Sequence, residues 1–191
     1  MTDINTRIDV LMIGAFLSDK LVGIYSLAAI ISEGFEQISS IFKVNYNPLL
    51  TQFIINRRLG ELSSIIGAFL KKMTPSAILI GLLSIPVFPL FVKIITADQE
   101  FLNGWLVFAI LMLGVAVKFG YSVFWELPAQ SGHPGYQTIL IALVALSNVI
   151  LSYFFVLRWG IYGAAAATAL SSILGIFYLK IITKKVLGVR I

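Results

Sequence analysis

Cysteine is absent and histidine occurs once, at His133, which removes disulfide frameworks, thiolate metal sites, cysteine nucleophiles and histidine clusters from consideration. Charge is scarce too. The 14 Lys+Arg and 9 Asp+Glu make up 12% of 191 residues, against roughly 25% in ordinary soluble domains. Hydrophobic residues reach 59% and the mean hydropathy is +0.96, so a wholly aqueous surface would leave large apolar patches uncovered. Part of the solvent is lipid. The net charge of +5 does not point to nucleic acid, because the basic residues flank apolar runs and form no stripe with interleaved aromatics. Membrane lipid is the expected surrounding partner. Residues 1–7 carry Asp3 beside the single Arg7, with Asp9 close behind and no small-residue cleavage site following, which is not the pattern of a signal peptide.

A crossing helix needs about 20 mostly apolar residues. Full-length candidates lie at 73–95, 101–124, 136–157 and 161–182. A further helix begins at Leu21 and runs to Ile55 with a mixed middle, as expected of a helix with one wet face. The first apolar run, 8–17, is half a crossing and is expected to be the back end of a longer helix whose front is missing. Pro75, Pro86 and Pro89 predict a kink in or near the third span, where packed neighbours tolerate broken backbone hydrogen bonding. The expected fold is therefore an all-α integral membrane protein, a bundle of six transmembrane helices with the first truncated. Residues 1–191 form a single membrane domain without linker or low-complexity segment.

Lys and Arg in short loops set orientation. Arg57, Arg58, Lys71, Lys72, Lys180, Lys184, Lys185 and Arg190 fall on one side of this arrangement, while Lys20, Lys93 and Arg158 fall on the other. The C-terminus is accordingly expected on the cytoplasmic side of the cytoplasmic (inner) membrane. Arg7, Lys43 and Lys118 remain within or at the edge of a span.

At 100° per residue, Glu33, Glu36, Gln37, Ser40, Lys43 and Asn47 share an arc of about 120° on the second helix. Such an arc lines a water-filled cavity, contacts another helix, or lets its charges snorkel to the interface. Lys118 lies deep in the fourth span with Tyr121, Ser122 and Trp125 on the same side. A buried ammonium needs an anion, which is either a carboxylate such as Glu33 or an anionic substrate group such as phosphate. Arg7 and Asp9 lie in the membrane if their helix is longer, and at the interface if it is not. Gly163, Ala167, Ser171 and Gly175 recur every four residues, a pattern for close helix packing, and Asn148 with Ser152 reads as a hydrogen-bonding pair between helices. His133 sits in a Gly- and Pro-marked turn. No catalytic residue, metal site or cofactor loop is expected, since no nucleophile–base pair, acidic cluster or Gly-rich phosphate loop is present. The chain does not read as an enzyme.

Several stretches together resemble the polysaccharide (O-antigen type) flippases of the multidrug/oligosaccharidyl-lipid/polysaccharide exporter superfamily. They are Arg7-Ile8-Asp9 with Gly14, Val22-Gly23-Ile24-Tyr25-Ser26-Leu27-Ala28, Asn47-Pro48-Leu49-Leu50, and Asn148 leading to Gly160-Ile161-Tyr162-Gly163-Ala164-Ala165-Ala166-Ala167-Thr168. The resemblance implies two six-helix lobes around a cavity of alternating access, this chain being the C-terminal lobe and a missing N-terminal lobe its partner. It also implies a polyprenyl-diphosphate-linked oligosaccharide as substrate, moved across the membrane for cell-surface polysaccharide synthesis, with Arg7, Lys43 and Lys118 as candidates for holding the diphosphate. The cavity candidates as a whole are Arg7, Asp9, Glu33, Glu36, Ser40, Lys43, Lys118 and Tyr121. The alternatives are a cation-coupled multidrug exporter lobe, with Asp9, Glu33 and Glu36 as the proton or sodium site, and a structural or remnant membrane subunit that transports nothing.

Overall fold

The computed structural model describes residues 3–96 and 98–189, with side chains from Ile8 onward. Among these residues the chain is helical with no strand. Helix α1 spans Asp3–Phe16, α2 Asp19–Ile55, α3 Leu59–Ser84, α4 Phe88–Ile95, α5 Trp105–Ser122, α6 Leu127–Gln130 and α7 Pro134–Leu187, with 3₁₀ turns at Ile85–Val87 and Gln99–Gly104. Four stretches are long and apolar enough to cross a membrane: Asp19–Ile55, Leu59–Ile95, Gln99–Gln130 and Pro134–Leu187. The outward faces suit lipid, Val44, Ile55 and Ile94 each being 73% exposed.

Four such stretches stand against the six expected, and α7 accounts for much of the difference. Drawn straight, its 54 residues would extend about 80 Å, far beyond a bilayer core of about 30 Å. It doubles back instead. Gly160 takes φ 58° and ψ −135°, a conformation in the positive-φ half that a Cβ would disfavour. Leu140 and Val144 of the first limb then share a buried cluster with Leu179 and Ile182 of the second, and Ser147 Oγ lies 2.9 Å from Tyr178 OH. Gly163 makes the reversal possible, because a Cβ there would stand 2.0 Å from the Phe155 carbonyl oxygen.

The kink expected from three prolines falls at Pro86, inside the 3₁₀ turn, whereas Pro75 is carried within α3. Helix α3 also begins earlier than expected. Lys71 and Lys72, read as loop residues, belong to its interior turns. The Gly163, Ala167, Ser171 and Gly175 stripe is buried within the chain, Gly175 packing against Trp125 and Val144, so it is spent on internal packing.

Two apolar layers mark the ends of the bundle. One joins Ile13, Tyr25, Phe88, Phe108 and Ala164 from α1, α2, α4, α5 and α7. The other joins Leu50, Leu62, Phe69, Phe124 and Val189, bringing the α2–α3 turn beside the end of α7. The basic residues follow this division: Arg57, Arg58, Lys184 and Lys185 sit at the second end, and Lys20 pairs with Glu100 at 2.8 Å near the first.

Candidate functional site

Between the two apolar layers the helices leave a cavity of about 70 Å³ whose wall mixes charged and hydroxyl side chains with apolar ones. Its position follows from the sequence of α2 and α5. In α2 the first layer ends at Ile31 and the second takes up at Leu50, while in α5 the first layer ends at Met112 and the second resumes beyond it at Val123. Ser32, Glu33 and Glu36 on α2 face Gly114, Val115 and Lys118 on α5 across that interval. Helix α7 closes the wall with Thr168, Ala169 and Ser172. It approaches closely because residue 114 is glycine: a Cβ there would lie 2.7 Å from Ala169 Cα. Lys118, one turn on from Gly114, is thereby set beside α7.

Asp9 comes from α1 and is 1% exposed. Around its carboxylate the other helices deliver hydroxyls. Tyr25 OH donates to Oδ2 at 3.0 Å, Thr168 Oγ1 donates to the same oxygen, and Ser152 Oγ lies 3.3 Å from Oδ1. Ser152 also donates to Asn148 Oδ1 at 2.7 Å, and Asn148 itself hydrogen-bonds Asp9. The Asn148–Ser152 pair therefore belongs to the Asp9 cluster as well as to packing. A carboxylate ringed by neutral oxygen donors can be held charged by those donors, or can hold a proton or a monovalent cation among them. Among the described residues no group of three or more His, Asp or Glu is placed to hold a metal ion.

Lys118 meets Glu36 at 2.5 Å, their side chains 20% and 24% exposed. The carboxylate in this contact is Glu36. The Lys118 ammonium also stands 5.9 Å from the centroid of the Trp125 ring. Glu33 lines the same cavity.

The remaining candidates lie elsewhere. Lys43 pairs with Glu126 at 2.5 Å, and Asn47 Nδ2 donates to the same carboxylate at 3.0 Å. Ser40 is exposed and donates to the Gln37 carbonyl of its own helix. Tyr121 lies under Lys180, whose Nζ is 4.9 Å from the ring centroid. The Arg7 side chain, like all of Arg190, falls outside the described residues. Sequence reasoning gave no role to Tyr25, Thr168 or Glu126. Tyr25 and Thr168 do occur in the segments quoted for the family resemblance, yet a lone hydroxyl in an apolar helix carries no periodic signal. Compared with family models, with curated proteins and with solved structures, the chain gives no match.

Proposed function

We propose that this chain is one lobe of an alternating-access membrane transporter, a flippase that moves a polyprenyl-diphosphate-linked oligosaccharide from the cytoplasmic to the external leaflet. In this reading α1, α2, α3 with α4, α5, and the two limbs of α7 serve as six membrane helices, and a second lobe faces the cavity. The observation that carries it is Lys118: an ammonium on a predominantly apolar helix, turned into a cavity between two apolar layers and close to an aromatic ring. A diphosphate would make charge-assisted hydrogen bonds there, with the isoprenoid remaining in lipid.

The cavity also supports a second reading. Asp9, Glu33 and Glu36 line it against the ammonium of Lys118, a balance that favours a cation over an anion. A cation-coupled exporter would use that acidity directly, and a saccharide flippase would use it for the coupling ion.

One experiment separates the two. In cells whose surface polysaccharide depends on the assembled transporter, Lys118→Ala abolishes export per unit of transporter protein and Lys118→Arg retains part of it. Normal polysaccharide in the alanine variant, together with loss of cationic-dye efflux in a Glu33→Gln variant, would transfer the function to the exporter reading.

A further inference from the structure

The Lys118 ammonium in the cavity is already occupied. Lys118 and Glu36 lie 2.5 Å apart, and Lys118 is the partner that the structure gives the Glu36 carboxylate. The ammonium has three N–H donors, but a phosphate that reaches it also comes close to that carboxylate, and the repulsion between the two anions favours the carboxylate's release. The groups facing the pair then decide the fate of the displaced charge. Helix α1 contributes Asp9, α2 contributes Glu33, and α7 contributes Thr168 and Ser172, which are neutral; among the described residues no second cation lines the cavity. Asp9 keeps its Tyr25 and Thr168 donors throughout, because they do not involve Lys118. Glu36 has no such reserve. Once displaced, its charge would stand beside Glu33 and the incoming phosphate in a partly desolvated space, where an unpaired carboxylate is costly.

We propose that Glu36 is a resident counter-anion: it holds Lys118 until a diphosphate takes its place, and on release its carboxylate takes up one proton from solvent. The proposal rests on the phosphate role of Lys118 given under Proposed function. Its consequence is that anion binding and protonation form a single event, so the cavity accepts substrate without gaining an unpaired carboxylate. Trp125 keeps the ammonium in position during the exchange, since its ring contact does not depend on which anion is present.

The test uses the whole chain in nanodiscs, in sodium-free buffer, titrated calorimetrically with geranylgeranyl diphosphate and separately with inorganic pyrophosphate. Two buffers of different ionisation enthalpy give the protons taken up per ligand bound. Wild type takes up about one proton more than Glu36→Gln, and Glu36→Gln binds the ligand about tenfold more tightly because its competitor is gone. Glu36→Met, similar in length and at home in a membrane helix, provides the same comparison if the glutamine variant fails to fold. Uptake with both probes means that the diphosphate alone is read, and uptake with the isoprenoid only means that lipid must deliver it; either supports the exchange. Equal proton counts in wild type and the Glu36 variants, with binding still lost in Lys118→Ala, overturn the counter-anion and leave the phosphate role of Lys118 intact. Undiminished binding in Lys118→Ala overturns that role, and the exchange with it.

Discussion

A carboxylate that is 1% exposed has to be satisfied by its neighbours, and for Asp9 those neighbours arrive from three separate stretches of sequence. That is why its setting could not be read from the chain. Tyr25, Ser152 and Thr168 share no spacing with Asp9, and only the folding of α7 against α1 and α2 brings them together. Lys118 was more legible, because a cation in an apolar run demands an anion wherever the helix goes. Its contact with Glu36 was not, since Glu33 and Glu36 lie only about 60° apart on the helix and the contact rests on how α2 and α5 are set. Height along the axis was equally hidden. The polar arc of α2 is a direction shared by residues at different depths: Glu36 and Lys43 are about 10 Å apart along the helix, so one reaches the cavity and the other reaches Glu126. Removing the carboxylate in Asp9→Ala takes the acceptor from the buried Tyr25 hydroxyl, which should cost about 1–3 kcal/mol, while half-buried Thr168 keeps the Ala164 carbonyl as an acceptor. Thermal unfolding in nanodiscs measures this, and an unchanged transition would mean that the Tyr25 hydroxyl finds another partner without loss.

At the scale of elements, the long apolar runs were legible because membrane helices advertise themselves by length alone. The expected spans 136–157 and 161–182 bracket Gly160, where α7 reverses. The extent of α3 was less visible, because Leu59 to Lys72 mixes charged and apolar residues and its helicity depends on packing Leu62, Ile66 and Phe69 into the end layer. Gly163 is the residue that the α7 reversal can least change. In Gly163→Ala the new methyl would meet the Phe155 carbonyl at 2.0 Å, so backbone must shift and folded yield should fall severely. Gly67→Ala is the control: nothing lies within 4 Å of its added Cβ, and alanine is favoured over glycine inside a helix by up to about 1 kcal/mol. Equal yields from the two variants would show that the limbs of α7 do not approach so closely. The disposition of the ends makes a separate prediction. Arg57 and Lys185 are exposed at one end and Asp98 belongs to the other, so single cysteines replacing them in this cysteine-free chain should label from opposite sides. Position 98 reacts with an impermeant reagent in intact cells, and positions 57 and 185 react only after permeabilisation. The reverse pattern would invert the topology, and labelling of all three from one side would break it.

For the molecule as a whole, the decisive feature is that the polar groups of α2 do not all face inward. Glu33 and Glu36 look into the cavity, yet Gln37 and Ser40 are exposed on the same helix at similar depth, where lipid would be a poor neighbour for them. A second body with polar groups of its own would shield them and complete the cavity wall. The proposed alternating access would impose the same requirement, because a site is opened to one side and then the other by two bodies rocking about it. A second copy of this chain is one conceivable body, but the small-residue stripe that could have joined two copies is already used against Trp125 and Val144. The expected outcome is therefore that the chain in liposomes moves little lipid-linked saccharide by itself and gains transport when a first lobe is supplied as a separate polypeptide. Fluorescence quenching of a labelled polyprenyl-diphosphate saccharide from outside the vesicle reads leaflet movement in both preparations. The same vesicles with Lys118→Ala in the second lobe should return to the rate of the chain alone, which ties the gain to the cavity and not to leakage. Full transport by the chain without a first lobe would defeat the two-body reading and make the exposed face of α2 a contact between identical copies.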